Sequence, residues 1–266
     1  DGANFSILTF KNWLTEKEKV EIVVLTEKPK KFNDAEVKLI KMTSKQKNEW
    51  SLYGGYHFRI KNRGLGFVMD ELNLIDEDKI LFFDTDTYFH KSPLPLFNLI
   101  KPDQALFYLN EGLIYKRKRF DIYIKHLEGR SIEIEGETYR LSQQSALWGS
   151  LMVGIMPNMR PSIEWADKLM LKFYELVPSH TIEPFSLSET LLKKYKLVEG
   201  RKFVSLYSTS RKKEYAKKIL SNFFHETNGL AIHKKIKKAQ NTKIKRPIMT
   251  VVKQRFLTLF NKNVKL

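Results

Sequence analysis

Residues 79–89 read KILFFDTDTYF, an apolar run that ends in two aspartates, Asp84 and Asp86, with one threonine between them. A short apolar run of this kind is typical of a buried strand. Further apolar or β-branched runs cover residues 19–29, 36–42, 103–110 and 146–156, and segments with helical spacing stand between them. Strands interspersed with helices predict an α/β domain with a mostly parallel sheet flanked by helices.

The helical segments are recognised by the spacing of their apolar residues. This spacing marks residues 3–16, 56–74, 161–177, 184–195 and 211–224. Pro161 suits the first turn of its helix. The alternating stretch SIEIEGETYRL, residues 131–141, predicts a β-hairpin.

Composition restricts the classes of protein that need to be considered. The chain has 266 residues, 42% of them apolar, so we expect a sizeable core and no global disorder. It contains no cysteine, which excludes disulfides, thiolate metal sites and cysteine nucleophiles. No apolar stretch approaches the roughly 20 residues of a membrane span, and the N-terminus shows no secretion signal.

The formal charge of +17 indicates polyanionic partners, namely phosphorylated molecules, anionic lipid or nucleic acid. Its distribution is uneven. No acidic residue follows Glu226, whereas that tail contains eleven Lys or Arg, so residues 1–226 carry only about +6. The excess of positive charge therefore belongs mostly to the tail.

Asp84 and Asp86 stand at the carboxyl end of a predicted strand, where α/β sheets bind ligands. They could simply cap a turn, since Asp side chains bond nearby amides. They could be the nucleophile and acid of a haloacid-dehalogenase-like phosphatase, whose first strand FFDTDTYF resembles. That chemistry needs a later acidic pair, and Asp103, Asp121 and Asp167 each stand alone. They could also hold a divalent cation that bridges the phosphates of a nucleotide-sugar donor.

Several stretches, in order, resemble glycosyltransferases of the GT-A fold, and more narrowly small bacterial sugar transferases that build surface polysaccharide. EIVVLTEKP is similar to their early nucleotide-binding strand, and YHFRIKNRGLGFVMDEL followed by DKILFFDTDTYF resembles their basic helix and metal-binding strand. ALWGSLMVGI looks like their acceptor-side strand, IEPFSLSETLL like the next helix, and VSLYSTSRKKEYAKKILSNFF like a closing segment. The resemblance implies a GT-A-like, Rossmann-like domain over most of residues 1–226.

The resemblance also implies an activity, that of a hexosyltransferase with a nucleoside diphosphate sugar donor, UDP-sugar being expected. Mn²⁺ or Mg²⁺ would be bound through Asp86 and Asp84. Lys212 and Lys213 would clamp the donor diphosphate as point charges, and Lys61 would pair with donor phosphate or with Asp84. The alternative for all three lysines is a solvated helix face. Arg59, near Lys61, is better interpreted as a solvated helix residue.

The chain departs from the family in two places. Many relatives carry a histidine in the closing segment that joins the metal or the diphosphate, and the comparable position here is Leu206. The ion would then depend on the two aspartates, donor phosphates and water. The first strand of the fold would have to precede Asp1.

On the acceptor side, Glu183 and Glu189 are candidates for the base that removes the hydroxyl proton in an inverting transfer. The alternative for Glu183 is an interaction with the helix dipole. Gln143, Gln144 and Trp148 would line the sugar and acceptor pocket, although Trp148 fits a plain core position equally well. His57 and His90 are expected to be structural.

Residues 227–266 form a second part of the chain, a basic tail. Its apolar positions 248, 251, 252, 256, 259 and 260 follow helical spacing after Pro247, with Lys and Arg mostly on other faces. This pattern is typical of a helix that lies on an anionic membrane surface, here through residues 234–266. We therefore expect a cytoplasmic protein, peripheral at the inner face of the membrane, that acts on a glycan or lipid-linked glycan. The alternative is a C-terminal helix that packs its apolar stripe on the domain, with lysines on the outside.

We expect no nucleic-acid partner, because no nucleic-acid-binding motif is present. The alternative from another class is a basic membrane- or nucleic-acid-binding protein without catalysis. In that case the two aspartates would only shape a turn.

Overall fold

The computed structural model describes residues 1–15, 17–207 and 210–244, apart from the side chains of residues 33, 34, 210 and 211. The helices are α1 Gly2–Lys11, α2 Ser44–Trp50, α3 Ile60–Glu71, α4 Leu94–Phe97, α5 Asp121–Leu127, α6 Arg160–Leu176, α7 Ile182–Leu192, α8 Ser210–Glu226 and α9 Ile232–Asn241. The strands are β1 Val23–Thr26, β2 Lys38–Lys41, β3 Ile80–Phe83, β4 Thr87–Phe89, β5 Gln104–Leu113, β6 Ile132–Ile134, β7 Glu137–Tyr139, β8 Ala146–Ile155, β9 Lys196–Glu199 and β10 Val204–Leu206. The prediction of an α/β protein is confirmed.

The largest sheet has four strands in the order β3-β8-β5-β9. β8 runs antiparallel to both β3 and β5, whereas β9 is parallel to β5. β1 and β2 form a separate parallel pair. The described sheets are thus small and contain both parallel and antiparallel pairs. They do not show the mostly parallel sheet that the sequence predicted. An apolar run indicates burial on both faces but carries no information on direction, so the sequence could not reveal that β8 is antiparallel.

β8 lies in the middle of this sheet and is buried along almost its whole length. Val153 packs on one face in a cluster with Leu65 of α3 and Leu187 of α7. Its neighbour Met152 packs on the other face in a cluster with Phe10 of α1. Because successive side chains of a strand point to opposite faces, both faces must be covered to bury a continuous apolar run.

Most predicted elements are present, with shifted ends. α6 and α7 correspond to the helices expected at 161–177 and 184–195, and β6 with β7 is the expected hairpin. The helix expected from residue 56 begins only at Ile60, after a 3₁₀ turn at His57–Arg59. The sequence did not predict α2, α5 or β9. α2 could have been found, because Thr43 and Gln46 form a capping box at its start.

α1 connects the N-terminus to β4. The Ser6 hydroxyl donates to the Thr87 carbonyl, and the Phe89 amide donates to the Thr9 hydroxyl at 3.1 Å. α1 also contacts α9, whose Ala239 is buried in a cluster with residues of α1 and α8. The described part of the predicted tail therefore packs on the domain.

The amphipathic helix expected after Pro247 lies outside the described residues. Within the described ranges, no helix has the length and apolar character needed to cross a membrane.

Candidate functional site

The turn that carries the two aspartates is held by its backbone. The Asp84 amide donates to the Leu151 carbonyl at 2.8 Å and so extends the pairing of β3 with β8 by one residue. The Asp84 carbonyl accepts bonds from the Thr87 amide at 3.2 Å and the Thr87 hydroxyl at 2.6 Å. Among the described residues, neither aspartate carboxylate accepts a hydrogen bond from a backbone amide. The turn is closed without them, which leaves both carboxylates for another role.

Asp86 has one paired and one unpaired oxygen. Its Oδ2 atom lies 3.1 Å from the Lys213 ammonium of α8. Its Oδ1 atom is buried and has no hydrogen-bond partner among the described residues. Since an unsatisfied buried acceptor is costly, Oδ1 is a position where a bound cation or a ligand donor would be stabilised.

The residues around the turn hold its backbone from two sides. The Tyr207 amide donates to the Asp86 carbonyl at 3.1 Å, and its hydroxyl donates to the Thr85 carbonyl at 3.2 Å. Gly2 of α1 approaches so closely that an added Cβ would lie 2.6 Å from the same Thr85 oxygen. Glycine is therefore required at this contact, and the turn has little freedom to shift.

The Asp84 carboxylate is largely desolvated, although the residue as a whole is only half-buried. Burial raises its pKa to about 6 against the opposing positive charge of Lys61, and the negative charges of Glu183 and Asp86 raise it further. Lys213 also opposes the rise. The charge of Asp86 thus disfavours ionisation of Asp84, and a cation between the two carboxylates would relieve this repulsion.

Lys61, Ser150 and Glu183 form a buried polar cluster behind Asp84. The Lys61 ammonium donates to the Ser150 hydroxyl at 2.7 Å, to the Ser150 carbonyl at 2.9 Å and to Glu183 Oε2 at 3.0 Å. The Ser150 hydroxyl also donates to Glu183 Oε2, at 2.9 Å. The side chains of Lys61 and Glu183 are 7% and 1% exposed, so this ion pair is shielded from water. Ser150 immediately precedes Leu151 on β8, and the Leu151 carbonyl accepts the bond from the Asp84 amide, so the cluster lies beside this backbone contact.

Tyr56 supports the same cluster from the opposite side. Its hydroxyl donates to the His180 carbonyl at 2.8 Å and accepts from the Glu183 amide at 3.0 Å. Burial raises the pKa of Tyr56, so it remains a neutral hydroxyl. Neither Tyr56 nor Ser150 was predicted, although Ser150 belongs to the stretch ALWGSLMVGI that resembles an acceptor-side strand.

Glu189 lies six residues further along α7 and has different neighbours. Its carboxylate accepts from the Ser145 hydroxyl at 2.6 Å, the Tyr139 hydroxyl at 3.0 Å and the Ala146 amide at 3.0 Å. Burial raises its pKa, and these three hydrogen bonds oppose the rise. They connect Glu189 to the hairpin and the start of β8, whereas Glu183 contacts Ser150 near the aspartates. The structure thus does not bring the two candidate bases together.

The predicted sugar and acceptor residues are also dispersed. Gln143 and Gln144 are exposed in the turn before β8. Trp148 is 8% exposed and packs edge-on against Phe107, with ring centroids 6.2 Å apart. Its contacts are those of a core residue, although its indole N–H has no partner among the described residues.

The remaining basic and imidazole residues have varied surroundings. Lys212 is exposed, next to the Lys213 that pairs with Asp86. Arg59 is not solvated as expected: its side chain is 14% exposed and binds Asp167 of α6 with two bonds of 2.8 and 2.9 Å. His57 lies against the Phe58 ring, 4.0 Å between centroids.

The two aspartates fit a divalent cation only in part. They supply hard oxygen ligands, and Oδ1 of Asp86 is unpaired within the described ranges. No cluster of three or more carboxylate or imidazole side chains suited to a metal is found there. A cation at this turn would have to complete its coordination with ligand phosphates and water, as Mg²⁺ commonly does.

Comparison with known proteins adds no relative. No protein-family model matches the chain, and no curated protein and no solved structure is significantly similar to it.

Proposed function

We propose that this chain is a metal-dependent glycosyltransferase of the GT-A type. It would move a sugar from a nucleoside diphosphate sugar, a UDP-sugar being expected, to a hydroxyl of a glycan or lipid-linked glycan in surface polysaccharide synthesis. The main support is the environment of Asp84 and Asp86 at the end of β3. Their turn is closed by backbone bonds, the Asp84 carboxylate is desolvated, and one oxygen of Asp86 is buried without a partner among the described residues.

In this proposal, Asp86 and Asp84 hold Mn²⁺ or Mg²⁺ from one side of the turn. When bound, such an ion neutralises the charge that develops on the leaving diphosphate. Lys213, on α8, already contacts Asp86 and is placed to move between that carboxylate and an incoming phosphate. Lys212 beside it is exposed and could take a second phosphate oxygen.

Lys61 and Glu183 have a supporting role in this proposal. The Glu183 carboxylate is 1% exposed and paired with Lys61, so it does not contact a substrate in this conformation. We propose that Glu183 is a positioning residue that orients Lys61 toward the Asp84 side of the turn. The proton acceptor of an inverting transfer would then have to be another group, and a retaining transfer would need none of this kind.

The rival interpretations receive less support. The turn does not use its carboxylates for capping, which weakens the idea that it has only a structural role. For a phosphatase, the later acidic pair is missing among the described residues: Asp103 and Asp121 are exposed, and Asp167 is bound by Arg59. A basic protein that binds a membrane without catalysis is the alternative that remains.

Thermal unfolding with a panel of nucleotides tests the proposal directly. The panel contains UDP, GDP, CMP and their common sugars, each with Mn²⁺ and with chelator. We expect one nucleoside diphosphate to raise the melting temperature only with metal, because ligands that bind the folded state stabilise it by mass action. Asp86→Asn should abolish the shift, and Asp103→Asn, at an exposed carboxylate, should keep it. Equal shifts in both variants, or none in the unchanged protein, would refute the proposal.

A further inference from the structure

A cavity of about 250 Å³ lies where α1, α8, α9 and the 3₁₀ turn at Pro29–Ala35 meet. It is separate from the turn that carries the aspartates. Its lining consists of Asn4, Leu8, Lys30, Lys31, Ala35, Phe224, Ile232 and Lys235.

The lining has two chemically distinct parts. Leu8 and Ala35 are buried apolar residues at the base, and Phe224 and Ile232 are half-buried beside them. Lys30, Lys31 and Lys235 supply positive charge, and no carboxylate is among the described lining residues. An apolar base beneath a cationic rim suits an amphiphile with an anionic head.

Asn4 adds a requirement for a hydrogen-bond donor. Its amide nitrogen donates to the Lys31 carbonyl at 3.0 Å, so the orientation of the side-chain amide follows from this bond. Its Oδ1 atom is buried and lacks a partner among the described residues. A hydroxyl on the ligand would satisfy this acceptor.

The volume limits what part of an amphiphile can enter. Sites for drug-sized ligands measure roughly 300–1,000 Å³, so a cavity of about 250 Å³ holds a polar head and the first carbons of a chain. We propose that this cavity binds the headgroup of an anionic phospholipid that carries a free hydroxyl, of the phosphatidylglycerol type. The lysines contact the phosphate, Asn4 Oδ1 accepts from the hydroxyl, and the first acyl carbons lie against the apolar lining, from which the chains continue toward the bilayer.

The position of the cavity gives this inference a functional consequence. α1 carries Asn4 and Leu8 on one face, while its Gly2 and Ser6 contact the turn and strand at Thr85 and Thr87. A lipid held on the face with Asn4 and Leu8 would therefore bring the helix that supports the aspartate turn to the membrane surface. The inference does not rest on the proposed transferase function, because the site contains neither aspartate.

Nucleic acid is the other polyanion that lysines could attract. Single-stranded nucleic acid binds along exposed basic grooves with aromatic side chains that stack on the bases. A small cavity with a buried aliphatic base does not offer such a surface. The base formed by Leu8 and Ala35 favours the lipid.

Titration with a short-chain lipid tests the site without a bilayer, so that the basic tail has no membrane surface to bind. The full chain is titrated calorimetrically with dihexanoyl phosphatidylglycerol below its micellar concentration, in chelator and without nucleotide. We expect saturable binding of one lipid per chain, about tenfold or more weaker binding of dihexanoyl phosphatidylcholine, and weaker binding of dihexanoyl phosphatidic acid, which lacks the glycerol hydroxyls.

Two pairs of variants separate the cavity from general charge. Lys30→Gln with Lys31→Gln should weaken binding about tenfold or more, whereas Lys118→Gln with Lys125→Gln, which removes the same charge at exposed positions, should change it less than twofold. Asn4→Asp places a negative charge beside the phosphate and should abolish binding, whereas Asn48→Asp on α2 should not.

The inference is overturned if no lipid binds saturably, if both lysine pairs have the same effect, or if a single-stranded oligonucleotide competes with the lipid at equal concentration. Because the titration contains no donor or metal, its failure leaves the nucleotide experiment unaffected. Conversely, a failed nucleotide panel does not alter the lipid result.

Discussion

Replacing Asp84 with asparagine should stabilise the folded protein at neutral pH when no metal is present. Burial raises the pKa of Asp84 to about 6 from an ordinary 3.8. A raised carboxyl pKa means that the folded state disfavours the charged form. The stability associated with this group is therefore fully present below about pH 3.8 and is lost as the pH rises through about 6.

The size of the effect follows from the same values. The interval between 3.8 and about 6 corresponds to roughly 3 kcal/mol, at about 1.4 kcal/mol per pH unit. Asparagine has nearly the same shape and does not ionise, so the Asp84→Asn variant avoids this penalty. Its amide still needs hydrogen-bond partners in a half-buried position, which offsets part of the gain. We expect a net gain of about 1–3 kcal/mol at pH 7.5 and almost none at pH 3.5.

Urea unfolding at a series of pH values from 3.5 to 8, in chelator, measures this difference. The free energies of unfolding of the variant and the unchanged protein should diverge between about pH 4 and 6 and then run parallel. Asp103→Asn serves as the matched control, because Asp103 is exposed and the same substitution there should change stability by less than about 0.5 kcal/mol.

The reasoning is refuted if Asp84→Asn is no more stable at pH 7.5, or if its advantage is the same at every pH. Addition of Mn²⁺ with the nucleotide identified by thermal unfolding should reverse the order. The unchanged protein then gains binding free energy that the variant lacks.

Three other substitutions have definite outcomes. Lys61→Met leaves the buried Glu183 carboxylate without its partner and should lower the free energy of unfolding in urea by about 3–5 kcal/mol, most of which a second change, Glu183→Gln, should restore. A loss below about 1 kcal/mol would contradict a buried ion pair. Lys213→Gln removes the half-exposed partner of Asp86, so the free energy of unfolding should change by less than about 1 kcal/mol. Mn²⁺ alone, followed by electron paramagnetic resonance, should bind two- to tenfold more tightly, and weaker binding would mean that Lys213 does not compete for the Asp86 carboxylate. Glu189→Gln breaks a set of three accepted hydrogen bonds and should cost about 1–3 kcal/mol of stability, yet calorimetric nucleotide affinity should stay unchanged; a large loss of affinity would bring Glu189 back as a site residue.

The strongest local patterns predicted their elements correctly. The run before Asp84 forms β3, and the spacing in 161–177 forms α6, because a long apolar stripe or a compact apolar run has few alternative ways to be buried. The position of the aspartates after a strand also followed from sequence. β9 was missed because its sequence, KLVE, has only two apolar residues between two charged ones, so no apolar run marks it.

Roles that depend on distant partners could not be obtained from local sequence. Arg59 was expected to be solvated, and its partner Asp167 lies 108 positions away on α6. Glu183 and Glu189 share one helix and one residue type, yet the first pairs with Lys61 and the second accepts three hydrogen bonds from neutral groups. A helix pattern reports which face is buried but not which polar atoms meet that face.

The sequence by itself determined that the protein is basic, and the spacing of its apolar residues determined the α/β class and the strand before the carboxylate pair, because charge and apolar character are properties of the residues themselves. The folded chain alone decided the antiparallel direction of β8, the desolvation of Asp84 and the meeting of Asn4 with three lysines in one cavity. Each of these depends on segments far apart in the chain. The order of residues sets what each segment can bury, and packing in three dimensions sets what it is buried against.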